Sequence, residues 1–153
     1  MRWPAAGPAD LLPGEAPVIH AIDLAATLLE AAGLPLPRVF QGQSLLPWAR
    51  GETSGQRNSV FVMYQGNFFG LYTQRMVAAD GWKYVWNATA EDELYHVTAD
   101  PGEIHNRFND PAAVHKLCEL RLRMVAWMES IRDPVLHLWS RGQLLGGTKL
   151  PGV

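Results

Sequence analysis

Cysteine is nearly absent: Cys118 is the sole one in 153 residues. A single thiol excludes an internal disulfide and cannot supply a thiolate zinc cluster. Charge is sparse too, at 18% of residues with a formal net charge of −2 and no basic stripe, so neither nucleic acid nor an anionic membrane surface is expected as a partner. No apolar run approaches the roughly 18–20 residues that a membrane span requires. The first residues lack the order of charge, apolar run and small-residue cleavage site that marks a signal peptide, which leaves the compartment open between cytoplasm and periplasm. The five histidines, His20, His96, His105, His115 and His137, contain no i, i+4 pair, and the acids are scattered, so the chain itself is expected to hold no metal. Internal repeats and low-complexity tracts are missing as well.

What is there is a globular composition, 48% hydrophobic, in a chain long enough for one ordinary domain. Its organising stretch runs from Met76 to Pro111. Asp80-Gly81 lies between two apolar runs and supplies the two positive-φ positions of a type I′ hairpin turn. Strand alternation then puts Trp82, Tyr84 and Trp86 on one face and Lys83, Val85 and Asn87 on the other. A short strand is predicted over Leu94 to Val97, and Asp100-Pro101-Gly102 closes the sheet with turn residues. Before the hairpin, Val60 to Tyr64 and Leu71 to Ala79 read as strands, with Gln65 to Gly70 as a loop between them. Three aromatics on one face need a cover, and the helix that follows Pro111 provides it. Asp110 caps that helix, and Pro111 suits its first turn. Leu117, Leu120, Met124, Trp127 or Met128, and Ile131 recur at helical spacing, Arg121, Arg123 and Glu129 are expected to face water, and Asp133-Pro134 stops the helix.

The first 19 residues, broken by four prolines and two glycines, read as irregular. A helix follows, with Asp23 expected at the N-cap, Gly33 at C′ and Pro35 blocking continuation. Leu24, Leu28 and Ala31 or Ala32 share one face. At about ten residues this helix is marginal alone and needs a surface to pack on. Residues 51 to 59 read as a polar linker. The tail from 136 to 153 carries Leu136, Leu138, Trp139, Leu144 and Leu145 without a regular pattern. It is expected to pack back on the domain or to join a second copy as a homo-oligomer arm.

Several residues invite a chemical role, and each has a plainer one. Glu91-Asp92-Glu93 reads as a solvated turn, Cys118 as a small buried hydrophobe, and Lys83 as an outward strand residue. Ser44, in Gly42-Gln-Ser-Leu, lacks the G-x-S-x-G elbow of a hydrolase nucleophile.

Arg75-Met-Val, Trp82-Lys-Tyr-Val, Glu93-Leu-Tyr and Asp100-Pro-Gly-Glu with Asn106 resemble the C-terminal subdomain of type I, formylglycine-dependent sulfatases of the alkaline-phosphatase-like superfamily, whose string there is close to R-M-V-R, K-Y, E-L-Y-D-L, D-P-x-E and N-L. The chain departs from it at His96-Val97 and Arg107. The resemblance extends over Arg2-Trp-Pro, Pro13-Gly, His20-Ala-Ile-Asp23, Ala26-Thr-Leu-Leu, Ala32-Gly-Leu-Pro and Gly42-Gln-Ser-Leu-Leu-Pro47, with Ala26 where the family has proline. It implies that residues 1–50 are the edge of a catalytic α/β domain, that 51–135 are the C-terminal subdomain, and that 136–153 form a tail. The expected fold is α+β: a small, roughly four-stranded antiparallel sheet covered by one long C-terminal helix, preceded by a remnant of a larger α/β domain.

The family's nucleophile signature, C-x-P-S-R or S-x-P-x-R, does not occur here, and Cys118 is followed by Glu-Leu-Arg. No catalytic residue is therefore assigned. By resemblance, the parent enzyme would use formylglycine and a calcium or magnesium ion, all held by a missing N-terminal catalytic domain. Tyr64 and Gln65 stand where such enzymes place a loop facing the substrate cleft. Two further functions stay open: a free-standing binding module that complements a separate half, and a fragment of a phosphoester or phosphonate hydrolase on the same scaffold.

Overall fold

A computed structural model describes residues 19–52, 55, 57–66 and 72–146. The chain divides into two compact units between Asn58 and Ser59.

The first unit holds α1 (Ala21–Ala31) and the short α2 (Leu46–Ala49). Asp23 is not the N-cap. His20 is: its Nδ1 accepts from the Ile22 amide at 3.2 Å, and its own amide donates to Asp23 Oδ2 at 2.7 Å, a reciprocal capping box. An imidazole nitrogen does the work expected of a carboxylate, which frees Asp23 Oδ1 to accept the Gln43 amide at 2.8 Å and Arg57 Nη2 at 2.6 Å. Thr27 Oγ1 accepts the Leu45 amide at 2.9 Å and donates to the Asp23 carbonyl at 2.7 Å. The polar edge of α1 thus binds the segment that leads into α2. The close approach fixes Gly42, where a Cβ would lie 2.4 Å from the Ile22 carbonyl oxygen. The helix ends as expected, with Gly33 at positive φ after the C-cap Ala32.

The second unit is a four-stranded antiparallel sheet in sequential order: β1 (Ser59–Gln65), β2 (Thr73–Ala79), β3 (Trp82–Asn87) and β4 (Glu93–Tyr95). Asp80 and Gly81 both have positive φ, as the type I′ turn requires. The register sets Val77 opposite Tyr84 and Ala79 opposite Trp82, so β2 and β3 turn one face to the core. Val77, Tyr84, Trp86 and Leu94 pack there against Leu117, Leu120, Met124 and Met128 of α3 (Val114–Ser130), with Phe108 closing one side. Phe61 of β1 stacks on Trp127, centroids 4.8 Å apart and rings 7° from parallel. Asp110 Oδ1 accepts the Ala112 amide at 2.9 Å over a 3-10 turn at Pro111–Ala113 that leads into α3.

Several expectations fail here. Arg121 does not face water but is 2% exposed, and Asp92 is buried rather than part of a solvated turn. Cys118 is exposed, not buried, because it sits on the side of α3 away from the Leu117–Met124 stripe. β4 stops at Tyr95 instead of Val97, since the His96 carbonyl accepts the Ala99 and Asp100 amides and turns the chain. β1 runs through Gln65, beyond the expected Tyr64. The tail is not irregular throughout: α4 (Leu138–Leu145) packs on α3, with Leu144 and Ser140 buried. Residues 1–18 of the stretch expected to be irregular, 67–70 of the expected Gln65–Gly70 loop, Leu71 of the expected second strand and 147–153 of the tail lie outside the described residues.

One ion pair fixes where α3 ends. Arg75 of β2 reaches Asp133 through Nε to Oδ2 at 2.6 Å and Nη2 to Oδ1 at 3.0 Å, with both side chains fully buried. Its Nη1 donates to the Gln74 carbonyl at 2.8 Å, and Asp133 Oδ1 also accepts the Val135 amide at 3.0 Å. Burial pushes the Asp133 carboxyl up, but the hydrogen bonds from Arg75 and Val135 and the guanidinium charge hold it below its ordinary value. A lowered folded-state pKa means that the pair's stabilisation is complete above the unfolded carboxylate value of about 3.9 and is lost as pH falls through the lower native one. Replacing Asp133 with Asn is expected to cost about 3–5 kcal/mol in urea unfolding, because it leaves Arg75 buried and uncompensated. The acid limb of the stability curve should flatten with it. The double replacement Arg75→Met, Asp133→Leu should cost less than either single change, which a double-mutant cycle would measure.

Candidate functional site

The two cleft candidates sit at the loop end of the β1–β2 hairpin. Tyr64 pairs with Gln74 and Gln65 with Thr73, and beyond them the Gly66 amide donates to the Tyr72 carbonyl at 2.8 Å. Tyr64 and Tyr72 are 54% and 53% exposed. The Tyr64 ring lies across Gly66, where a Cβ would meet Tyr64 Cε1 at 3.0 Å and Tyr72 Cβ at 3.2 Å. A side chain at position 66 would therefore press on the Tyr64 ring and the Tyr72 Cβ. Phenol hydroxyls and a carboxamide can orient a polar ligand by hydrogen bonding and ring contact.

The titratable residues gather elsewhere. Asp92 Oδ2 accepts the Tyr84 hydroxyl at 2.7 Å and Arg121 Nη2 at 3.3 Å, while Oδ1 accepts the Asn87 amide at 3.0 Å. Arg121 Nε donates to the Tyr84 oxygen at 3.1 Å, and its guanidinium lies over the Tyr84 and Phe108 rings. Burial, and then the Asp92 charge, raise the Tyr84 phenol well above its ordinary value. Tyr84, Asp92 and Arg121 are all buried, and these hydrogen bonds tie them to one another in the core. Its signal is present in the sequence: Arg121 falls on the same helical stripe as Leu117, Met124 and Met128, a spacing that outranks its charge.

The residues that carry the family resemblance prove structural in the same way. Asp100 Oδ2 accepts the His105 amide at 2.9 Å, and that hydrogen bond lowers its pKa. Glu103, at positive φ, pairs with Lys83. Asn106 Oδ1 accepts the Leu94 and Phe108 amides at 2.9 and 3.0 Å, and its Nδ2 donates to the Asp92 carbonyl at 3.2 Å. With the Arg107 amide on the Leu94 carbonyl at 2.7 Å, this buckle closes the outer edge of β4. Among the described residues no three of His, Cys, Asp and Glu converge as metal ligands, and no helix is long and apolar enough to cross a membrane.

A small antiparallel sheet under one long helix, with the buried charges of the described residues paired within the fold, is an α+β domain. The chain belongs to the family of N-sulphoglucosamine sulphohydrolase C-terminal domains, whose model matches residues 1–135. It is a C-terminal portion of a sulfatase-like enzyme. A protein of Haemophilus influenzae without an assigned function is 36% identical over 118 residues, 77% of this chain and 60% of that protein. The delta 4,5-hexuronate-2-O-sulfatase of Bacteroides thetaiotaomicron is 30% identical over 115 residues, 73% of this chain and 24% of that enzyme. The solved structure of a 2-O GAG sulfatase superposes with a TM-score of 0.69 at 29% identity, over 74% of this chain and 25% of its own. The chain thus spans about a quarter of the length of these sulfatases.

Scaffold and candidate cleft separate by substitution. Asn106→Ala is expected to lower unfolding stability by about 1–3 kcal/mol, because it strands the Leu94 and Phe108 amides. Gln65→Ala, at an exposed strand end, should stay within about 0.5 kcal/mol. Urea denaturation followed by tryptophan fluorescence reads both.

Proposed function

We propose that this chain covers the catalytic domain of a sulfate ester hydrolase and forms one wall of its substrate cleft, with Tyr64 and Gln65 at that wall. The observation that carries it is the family match over residues 1–135, in a chain that aligns with about a quarter of each sulfatase named above. The nucleophile, a formylglycine, and a calcium or magnesium ion would come from the N-terminal part of such an enzyme. The residues described here do not fit either group: no C-x-P-S-R or S-x-P-x-R string occurs, and no acid cluster converges. The exposed pair Tyr64 and Tyr72 supports a role in contacting a ring-shaped or sulfated substrate by stacking and hydrogen bonding rather than in turning it over.

A second function, a free-standing module that complements a separately encoded half, has its own support. The Haemophilus relative is itself short, since 118 aligned residues make up 60% of it, whereas 115 make up 24% of the Bacteroides enzyme.

Both assign the chemistry to protein outside this chain. The purified chain is therefore expected to release no product from an aryl sulfate with calcium or magnesium present. Metal-dependent turnover that survives repurification would overturn the proposal.

A further inference from the structure

The sheet has two outer strands, and they are finished differently. β4 is three residues long, its Leu94 amide donates to Asn106 Oδ1 and its Leu94 carbonyl accepts the Arg107 amide, so that edge is taken. β1 is seven residues long and pairs with β2 in an unbroken register from Ser59–Ala79 to Gln65–Thr73. Among the described residues no strand pairs on its far side. Proteins ordinarily blunt such an edge with a charge, a proline, a bulge or a covering segment. Ser59 to Gln65 contains no charged residue and no proline, and the continuous register leaves no bulge. Val62, Met63 and Tyr64 are 37%, 54% and 54% exposed and alternate between the two faces of the strand. Over its second half β1 is therefore open on both faces as well as along its edge.

We infer that β1 pairs antiparallel with β1 of a second copy of this chain, across a two-fold axis at Val62, to join the two sheets into one. The inference goes beyond the function proposed above and does not depend on it. An open ladder of backbone amides and carbonyls takes a strand, and the residues of β1 say which strand fits. It reads alike in both directions, with polar Ser59 and Gln65 at its ends, apolar residues between them and Val62 in the middle. Across the axis Val62 meets its own copy, Val60 meets Tyr64 on the same face, and Phe61 meets Met63 on the other. Aromatic and aliphatic side chains so paired stabilise an antiparallel ladder, and no like charges are set opposite one another. There is room for the second copy. α3 lies over β2 and β3, and β2 and its copy would stand three strand spacings, about 14 Å, apart, wider than the roughly 8–10 Å at which helices pack. Because the β4 edge is closed, pairing through β1 ends at two copies, as a two-fold contact requires. A ladder of this length, about 23 Å, buries less than the roughly 800 Å² per partner of a standard interface, so the dimer should dissociate on dilution.

The test is sedimentation equilibrium of the full chain over about a hundredfold range of concentration. It is run with and without Val62→Lys, which sets two lysines face to face at the axis, and with Leu138→Lys as a control for a contact made by the tail. The unsubstituted chain should pass from monomer to dimer. Val62→Lys should weaken the dimer by roughly tenfold or more, and Leu138→Lys should leave it unchanged. Amide hydrogen exchange gives a second measurement that needs no variant. Along Val62 to Gln65, the amides that point to β2 should exchange slowly at every concentration, and the alternate ones, which point away, should slow only where dimer forms. A chain that stays monomeric throughout, a dimer indifferent to Val62→Lys, a dimer lost in Leu138→Lys, or assembly beyond two copies would each overturn the inference. If circular dichroism shows Val62→Lys unfolded in dilute solution, the exchange pattern of the unsubstituted chain decides alone, and outward amides that stay fast in the dimer overturn the pairing.

Discussion

The fully buried bidentate pair between Arg75 and Asp133 is the constraint on which the second unit turns. It ties the core face of β2 to Asp133, just beyond the end of α3, and the same carboxylate holds the Val135 amide at the corner before α4. Two charges withdrawn from water cost several kcal/mol each, and only a fully satisfied geometry offsets that. The helix can therefore stop at one place relative to the sheet. Apolar packing of Val77, Tyr84 and Trp86 against Leu117, Leu120 and Met124 supplies the bulk of the burial but tolerates sliding; the ion pair does not.

A second buried network repeats the logic at the other side of the core, where Asp92, Tyr84 and Arg121 satisfy one another. Asn106 then fastens the β4 edge, and Glu103 meets Lys83. Taken together, the polar residues that mark the family in this stretch are spent on the fold. Among the described residues the buried charges Asp23, Arg75, Asp92, Arg121 and Asp133 each meet an opposite charge. The side chains exposed at the loop end of the hairpin, Tyr64, Gln65 and Tyr72, offer hydroxyls, an amide and ring faces for contact.

The first unit obeys the opposite economy. Its hydrogen bonds face inward from Asp23 and Thr27, and its leucines face outward. An 11-residue helix that buries only Asp23 and Ala26 is a weak element in water.

Local chemistry was legible in the residues alone. Asp80-Gly81 determined the hairpin, because few residues other than Asp, Asn and Gly accept two consecutive positive φ angles. Strand alternation determined that Trp82, Tyr84 and Trp86 share a face, and Asp110-Pro111 determined where the covering helix begins. The family strings carried the fold class and the enzyme type. Tertiary structure alone decided the fate of the charges. Arg121 and Asp92 were assigned to water by their type, yet a charge is buried or exposed according to which partners a distant segment brings within 3 Å or so, and Asp92 and Arg121 stand 29 residues apart, Arg75 and Asp133 58 apart. The same holds for His20, which took the capping place expected of Asp23 because Gln43 and Arg57 claimed that carboxylate from across the unit. A sequence declares which backbone shapes each residue permits; which polar groups find one another is settled only when the chain has closed.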